Sequence, residues 1–141
     1  MRTSIAIVAL VSLVSLSGCF DLAAIQKQQE EDAAAMRRVS ESEPRCSHPR
    51  QCEAMWVAAR DWITESCGYK IQTVTDNLLE TYNSTGVDLA CRVTKTPLPE
   101  AGYKFNASAD CGNMFGCMPK PVVALQQFND KLINVGSAFK D

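Results

Sequence analysis

The sequence predicts an α+β fold, a two-layer sandwich in which two helices cover one face of an antiparallel meander of about four strands. Three observations support this prediction. First, apolar residues recur at helical spacing in two segments. Second, between those segments apolar residues occupy every second position. Third, short turns separate these alternating stretches. Strands joined by short turns pair in antiparallel fashion, and amphipathic helices bury their apolar stripes against such a sheet.

The two helices are predicted at residues 53–66 and from Pro119 or Pro121 to Gly136. Gly68 provides a stop after the first helix, and proline is tolerated in the first turn of the second. The helices carry apolar stripes formed by Met55, Ala58, Ala59, Trp62 and Ile63, and by Val122, Leu125, Phe128, Leu132 and Val135. These stripes predict that each helix packs with one side against the sheet.

The strands are predicted at residues 69–74, 78–82, 89–94 and 103–110. The last has the clearest alternation, because aromatic and alanine side chains occupy every second position from Tyr103 to Ala109, with polar residues between them. Successive side chains of a strand point to opposite faces, so this strand has one apolar face and one polar face.

The balance of charge argues against a nucleic-acid partner. The 141 residues include 14 Lys and Arg and 16 Asp and Glu, giving a net charge of −2. Binding to nucleic acid or to anionic lipid headgroups requires a clustered basic surface. No polybasic stretch appears in the sequence.

The beginning of the chain has the pattern of an export signal, with a cation at Arg2, an apolar run over residues 5–16 and small residues after it. As a helix, the run would rise about 18 Å, too little to cross a hydrocarbon core of about 30 Å. It ends in Leu16-Ser17-Gly18-Cys19, which resembles the lipobox of bacterial lipoproteins.

The lipobox resemblance implies cleavage between Gly18 and Cys19, a diacylglycerol thioether on Cys19 and acylation of the new amino terminus. Phe20 follows the lipidated position, and the family's sorting rule then implies the outer membrane, facing the periplasm. We therefore expect a signal peptide at residues 1–18, a lipid-anchored tether at 19–45 and a folded domain at 46–141. The covalent lipid is the only expected cofactor, and it makes the membrane a partner.

The tether is rich in Gln, Glu, Ala, Arg and Ser and has no aromatic residue after Phe20. Its few apolar residues, Leu22, Ile25, Met36 and Val39, fall roughly at helical spacing. A solvated or partly helical stalk is the expectation, because the sustained heptads of a coiled coil are absent.

Six cysteines follow the lipidated one, and an even number in an exported chain predicts disulfides. Local geometry favours the pairs Cys111–Cys117 and Cys46–Cys52, which would leave Cys67 to pair with Cys91. An exchange of partners involving Cys46, Cys52 and Cys67 remains open. Zinc ligation is disfavoured, and no metal site is expected, because CxxC pairs are lacking and the chain has 1 histidine.

Catalytic patterns are weak throughout the sequence. His48 lies in a short polar loop, and neither a nucleophile elbow, a phosphate-binding loop nor an HExxH motif is present. Asp61 and Glu65 lie one helical turn apart, where paired carboxylates are usually solvated. We therefore assign no catalytic residue and do not expect an enzyme.

The best candidate for a binding site is the loop between the last two cysteines, with Met114 and Phe115. A loop held by a disulfide loses less entropy when it binds. For Phe115 and Met118, however, the favoured interpretation is that they fold back over the core. Trp56 is a further candidate if it is exposed, but packing at the core edge is the favoured interpretation for that residue.

Residues 51–56, 69–73 and 113–117 (QCEAMW, YKIQT and NMFGC) resemble a family of small uncharacterised proteobacterial proteins. This likeness spans residues 46–135 and implies one compact domain, without implying an activity. The sequence as a whole predicts a non-enzymatic, lipid-anchored envelope protein that binds a protein partner or has a structural role. The alternative is a periplasmic lipoprotein that binds a small ligand or a peptidoglycan fragment.

Overall fold

The computed structural model describes residues 22–139. The predicted signal peptide and the predicted lipidation site Cys19 lie outside the described residues. In chain order the elements are α1 (Leu22–Glu41), β1 (Arg45–Cys46), α2 (Pro49–Ser66), β2 (Ile71–Val74), β3 (Leu78–Thr81), β4 (Ala90–Pro97), β5 (Tyr103–Asp110) and α3 (Pro121–Ser137). The predicted α+β class and the helix–strands–helix order are confirmed, with five strands instead of four.

The five strands form one antiparallel sheet in the order β1-β5-β4-β3-β2. The strand absent from the prediction is β1, where Arg45 pairs with Lys104 and Cys46 with Tyr103. Pro44 continues this pairing, because its carbonyl accepts the Phe105 N–H at 2.9 Å. Two residues are too few to show a period, which is why the sequence pattern does not indicate β1.

The core lies between the sheet and helices α2 and α3. One face of the sheet contributes Leu79, Cys91, Val93 and Phe105, all of them buried. The helices meet above that face, where the rings of Trp62 and Phe128 lie 4.9 Å apart in an edge-to-face arrangement. Such a geometry is favourable for aromatic pairs. The predicted placement of both helices on one face is therefore confirmed.

Gly136 does not end α3, as the sequence pattern predicted, but lies within its last turn. A Cβ atom at this position would lie 2.8 Å from the sulfur of Met55 on α2. The glycine thus permits a close approach of the two helices. At the other end, α3 begins at Pro121, and α2 begins at Pro49, earlier than predicted.

Residues 34–139 belong to one compact unit, and residues 22–33 belong to another. Within the larger unit, Val39 on α1 is 9% exposed and Pro44 is fully buried. Packing therefore begins before Cys46, the predicted start of the domain, because the end of α1 contributes to it. In the smaller unit the helix carries i, i+4 contacts, such as Lys27 with Glu31 at 3.9 Å.

Among the helices of residues 22–139, none is both long and apolar enough to cross a bilayer.

Candidate functional site

Three disulfides join Cys46 to Cys52, Cys67 to Cys91 and Cys111 to Cys117. This is the predicted set, without the exchange of partners that the sequence left open. The first bond ties β1 to α2, and the second ties the end of α2 to β4. The third closes a loop between β5 and α3, and this loop contains the predicted binding residues.

We call residues 112–116, together with Met118, the pinned loop. Within it, the side-chain oxygen of Asn113 accepts the Phe115 N–H at 2.9 Å, and the Asn113 carbonyl accepts the Gly116 N–H at 3.3 Å. Gly116 has φ +112°, a conformation that glycine adopts at little cost. The disulfide and these bonds fix the backbone of the pinned loop.

The base of the pinned loop rests on the segment of residues 84–88. A Cβ atom on Gly112 would lie 2.6 Å from the Ser84 carbonyl oxygen, so only glycine permits this approach. The Met118 N–H donates to the Val87 carbonyl at 2.9 Å. The loop is therefore held at both ends by main-chain contacts as well as by its disulfide.

The apolar side chains of the pinned loop point into solvent. Met114 is 90% exposed, Phe115 is 91% exposed and Met118 is 73% exposed. The favoured interpretation, in which Phe115 and Met118 cap the core, is therefore wrong, because the main-chain contacts turn the loop outward. Large apolar side chains that protrude together are typical of a contact surface.

Trp56 does not belong to that surface. It is 6% exposed, and its ring lies 6.3 Å from the ring of Phe105 in the core. On its outer side the ammonium of Lys95 lies 4.8 Å from the Trp56 ring centroid. The suggestion that Trp56 binds a partner is therefore wrong, because strand residues from β4 and β5 cover it.

The sequence pattern did not identify Lys95 and the residues around it as a candidate site. The Lys95 ammonium also lies 5.0 Å from the ring centroid of Tyr103. Beside it opens a cleft of about 550 Å³, which we call the Lys95 cleft; it is lined by Ser47, Pro49, Cys52, Glu53, Lys95, Ala101, Gly102 and Tyr103. The alternation along β4 could have indicated this position, because Cys91 and Val93 point inward and Lys95 is the next residue on the same face of the strand.

The weaker catalytic candidates do not come together. His48 is exposed at the start of α2, and its side chain makes no capping hydrogen bond. Glu65 pairs with Lys131 at 2.7 Å instead of joining Asp61. Among the residues that the structure describes, no group of three His, Cys, Asp or Glu side chains has the arrangement of metal ligands.

One titratable group near the pinned loop has a shifted pKa. Hydrogen bonds from Ser84 and from the Thr85 main chain lower the pKa of Tyr69 from its ordinary value of 10.0. The Thr85 N–H lies 3.0 Å from the Tyr69 oxygen, and the Ser84 hydroxyl oxygen lies 3.4 Å from it. Both contacts favour the phenolate, and both hold the segment on which Gly112 rests.

No protein-family model, curated protein or solved structure matches this chain. The likeness to a small uncharacterised proteobacterial family stays a prediction.

Proposed function

We propose that this chain is a lipid-anchored protein of the cell envelope that binds a protein partner through the pinned loop. The exposure of Met114 and Phe115 on a loop closed by a disulfide supports this proposal. The proposed role is binding or structural, without catalysis. The proposed location is the outer membrane, with the domain facing the periplasm.

The anchor rests on the lipobox-like sequence that ends in Cys19. Two or three acyl chains at one position give stable membrane attachment, whereas a single chain gives only marginal attachment. The three disulfides support an oxidising compartment, which the periplasm provides. A domain in that position meets other envelope proteins at the membrane surface.

The energetics of the pinned loop favour binding. Full burial of a side chain such as Phe115 contributes about 1.5–3 kcal/mol, and Met114 offers a similar gain. Because the backbone is already fixed by the disulfide and by Asn113, little further ordering is required. Two protruding apolar side chains suit an apolar groove on the partner.

Photo-cross-linking in living cells tests this proposal. Phe115 is replaced by a benzophenone amino acid, and in a matched control the same amino acid replaces Ile133, an exposed apolar residue on α3. We expect one discrete protein adduct from position 115, none from position 133, and loss of the adduct when Met114→Ser is added. The purified partner, identified by mass spectrometry, should bind the unmodified protein and lose affinity for Phe115→Ser.

Equal adducts from both positions would contradict the proposal, as would an adduct that survives Met114→Ser. Cross-linking to lipid alone would instead assign the pinned loop to the membrane surface. Each of these three results would contradict binding of a protein partner through Met114 and Phe115.

A further inference from the structure

The Lys95 cleft lies at the opposite end of β5 from the pinned loop. It opens beside Tyr103, where β5 begins, whereas the pinned loop follows Asp110, where β5 ends. Its volume of about 550 Å³ falls within the range of about 300–1,000 Å³ that is usual for small-molecule sites. A ligand here would occupy a site separate from the partner-binding surface.

Lys95 is an unusual residue for the inward side of a strand. Its ammonium lies against the rings of Trp56 and Tyr103, at 4.8 and 5.0 Å from their centroids. Within residues 22–139 no ion pair or hydrogen bond engages this ammonium. The rings fix its position through cation–π attraction, which leaves its N–H donors available. The result is a cation that is held in place at the wall of a cleft.

The same cleft contains a charge of the opposite sign. Glu53 lies on α2, one helical turn before Trp56, and lines the cleft as a solvent-exposed side chain. The two charged groups do not pair with each other, since no contact within 4.0 Å joins them. A simple anion would be attracted by Lys95 and repelled by Glu53. A ligand with both charges would satisfy both side chains.

Gly102 forms part of the cleft wall and keeps the turn before β5 close to β1. It has φ +81°, and a Cβ atom there would lie 1.8 Å from the Cys46 carbonyl oxygen. The Cys46–Cys52 disulfide fixes the adjoining wall to α2. The cleft is therefore built on constrained backbone, which favours a defined geometry for its two charges.

We propose that the Lys95 cleft binds a small zwitterion of the α-amino acid class. The carboxylate of the ligand accepts hydrogen bonds from the Lys95 ammonium, and its ammonium group donates to the Glu53 carboxylate. This site is independent of the pinned loop, because the two lie at opposite ends of β5.

Titration of the detergent-extracted full chain tests this proposal by NMR, with amide shifts of Glu53, Lys95 and Gly102 as the readout. The probes are glycine, acetate as the carboxylate alone and methylammonium as the cation alone. We expect glycine to give saturable shifts and to bind better than either half of the molecule. Lys95→Met should weaken glycine binding at least about tenfold, the loss expected when a charged hydrogen-bonding partner is removed.

Two further variants complete the test. Glu53→Gln should weaken glycine binding and strengthen acetate binding, so it decides the question even if Lys95→Met folds poorly. Lys70→Met removes an exposed cation outside the cleft and should leave glycine binding unchanged. Absence of saturable shifts with glycine would overturn the proposal. It would also be overturned by equal binding of acetate in the parent and Glu53→Gln proteins, or by undiminished glycine binding in Lys95→Met.

Discussion

The side-chain amide of Asn129 donates a hydrogen bond to the main-chain carbonyl of Val39, with 2.8 Å between nitrogen and oxygen. The same nitrogen lies 3.0 Å from the hydroxyl oxygen of Ser42. The Val39 carbonyl belongs to the last turn of α1, where carbonyls have no partner within the helix. Because Asn129 is buried on α3, it fixes the end of α1 to the folded domain.

We expect Asn129→Ala to lower the free energy of unfolding by about 0.5–1.5 kcal/mol, since the Val39 carbonyl loses its closer donor and keeps only the Ser42 hydroxyl, at 3.3 Å. Urea denaturation of the two proteins measures the difference. Asn134→Ala, at an exposed position on the same helix, serves as the control and should change stability by less than about 0.5 kcal/mol. Equal effects of the two substitutions would show that Asn129 does not hold α1.

Truncation of Phe115 and truncation of Trp56 should have very different effects on the free energy of unfolding. Phe115→Ala should change the free energy of unfolding by less than about 0.5 kcal/mol, because the side chain is 91% exposed. Trp56→Ala should cost about 3–5 kcal/mol, because it empties a volume beside Phe105. Thermal and urea unfolding test both values. A large loss of stability in Phe115→Ala would mean that this side chain packs on the core.

The disulfides should contribute to stability according to the length of chain that they enclose. Cys67 and Cys91 are 24 residues apart, whereas Cys111 and Cys117 are 6 apart. Loop-closure entropy then predicts a loss of about 3.5 kcal/mol for the double alanine variant of the first pair, and about 2.4 kcal/mol for the second. Urea unfolding of both variants checks the order; the reverse order would contradict the argument.

Tyr69 should have a pKa below the ordinary value of 10.0, because Ser84 and Thr85 hydrogen-bond to its oxygen. The folded pKa lies below the unfolded one, so folding favours the phenolate. The resulting stabilisation is complete above the ordinary value of 10.0 and is lost as the pH falls through the folded pKa. NMR titration of the Tyr69 ring measures this pKa, and Ser84→Ala should move it towards the ordinary value. An unchanged pKa of Tyr69 in Ser84→Ala would show that the contact with Ser84 does not cause the shift.

Local sequence pattern predicts much of this fold, because strands and amphipathic helices have a period of their own. The alternation from Tyr103 to Asp110 coincides with β5, and the apolar stripe that contains Trp62 identifies the buried side of α2. The role of Gly136 cannot be predicted from local sequence pattern. Whether a glycine ends a helix or permits a close approach depends on Met55, which is distant in sequence.

The candidate sites depend still more on long-range contacts. Phe115 has the same sequence neighbours whether it caps the core or faces solvent, and the contacts of Gly112 with Ser84 decide between these outcomes. Trp56 lies at the border of the apolar stripe, and only packing against Phe105 and Lys95 settles its burial. Sequence pattern therefore identifies the candidates, whereas tertiary contacts determine which of them are exposed.

We propose that a domain closed by three disulfides is held at the envelope by lipid on Cys19. The intact mass of the protein extracted from membranes, measured after alkylation with and without prior reduction, tests the anchor and the disulfides together. We expect a chain that begins at Cys19 and carries acyl and diacylglycerol groups, with six alkylated thiols only after reduction. A chain without lipid, or free thiols in the unreduced sample, would contradict it.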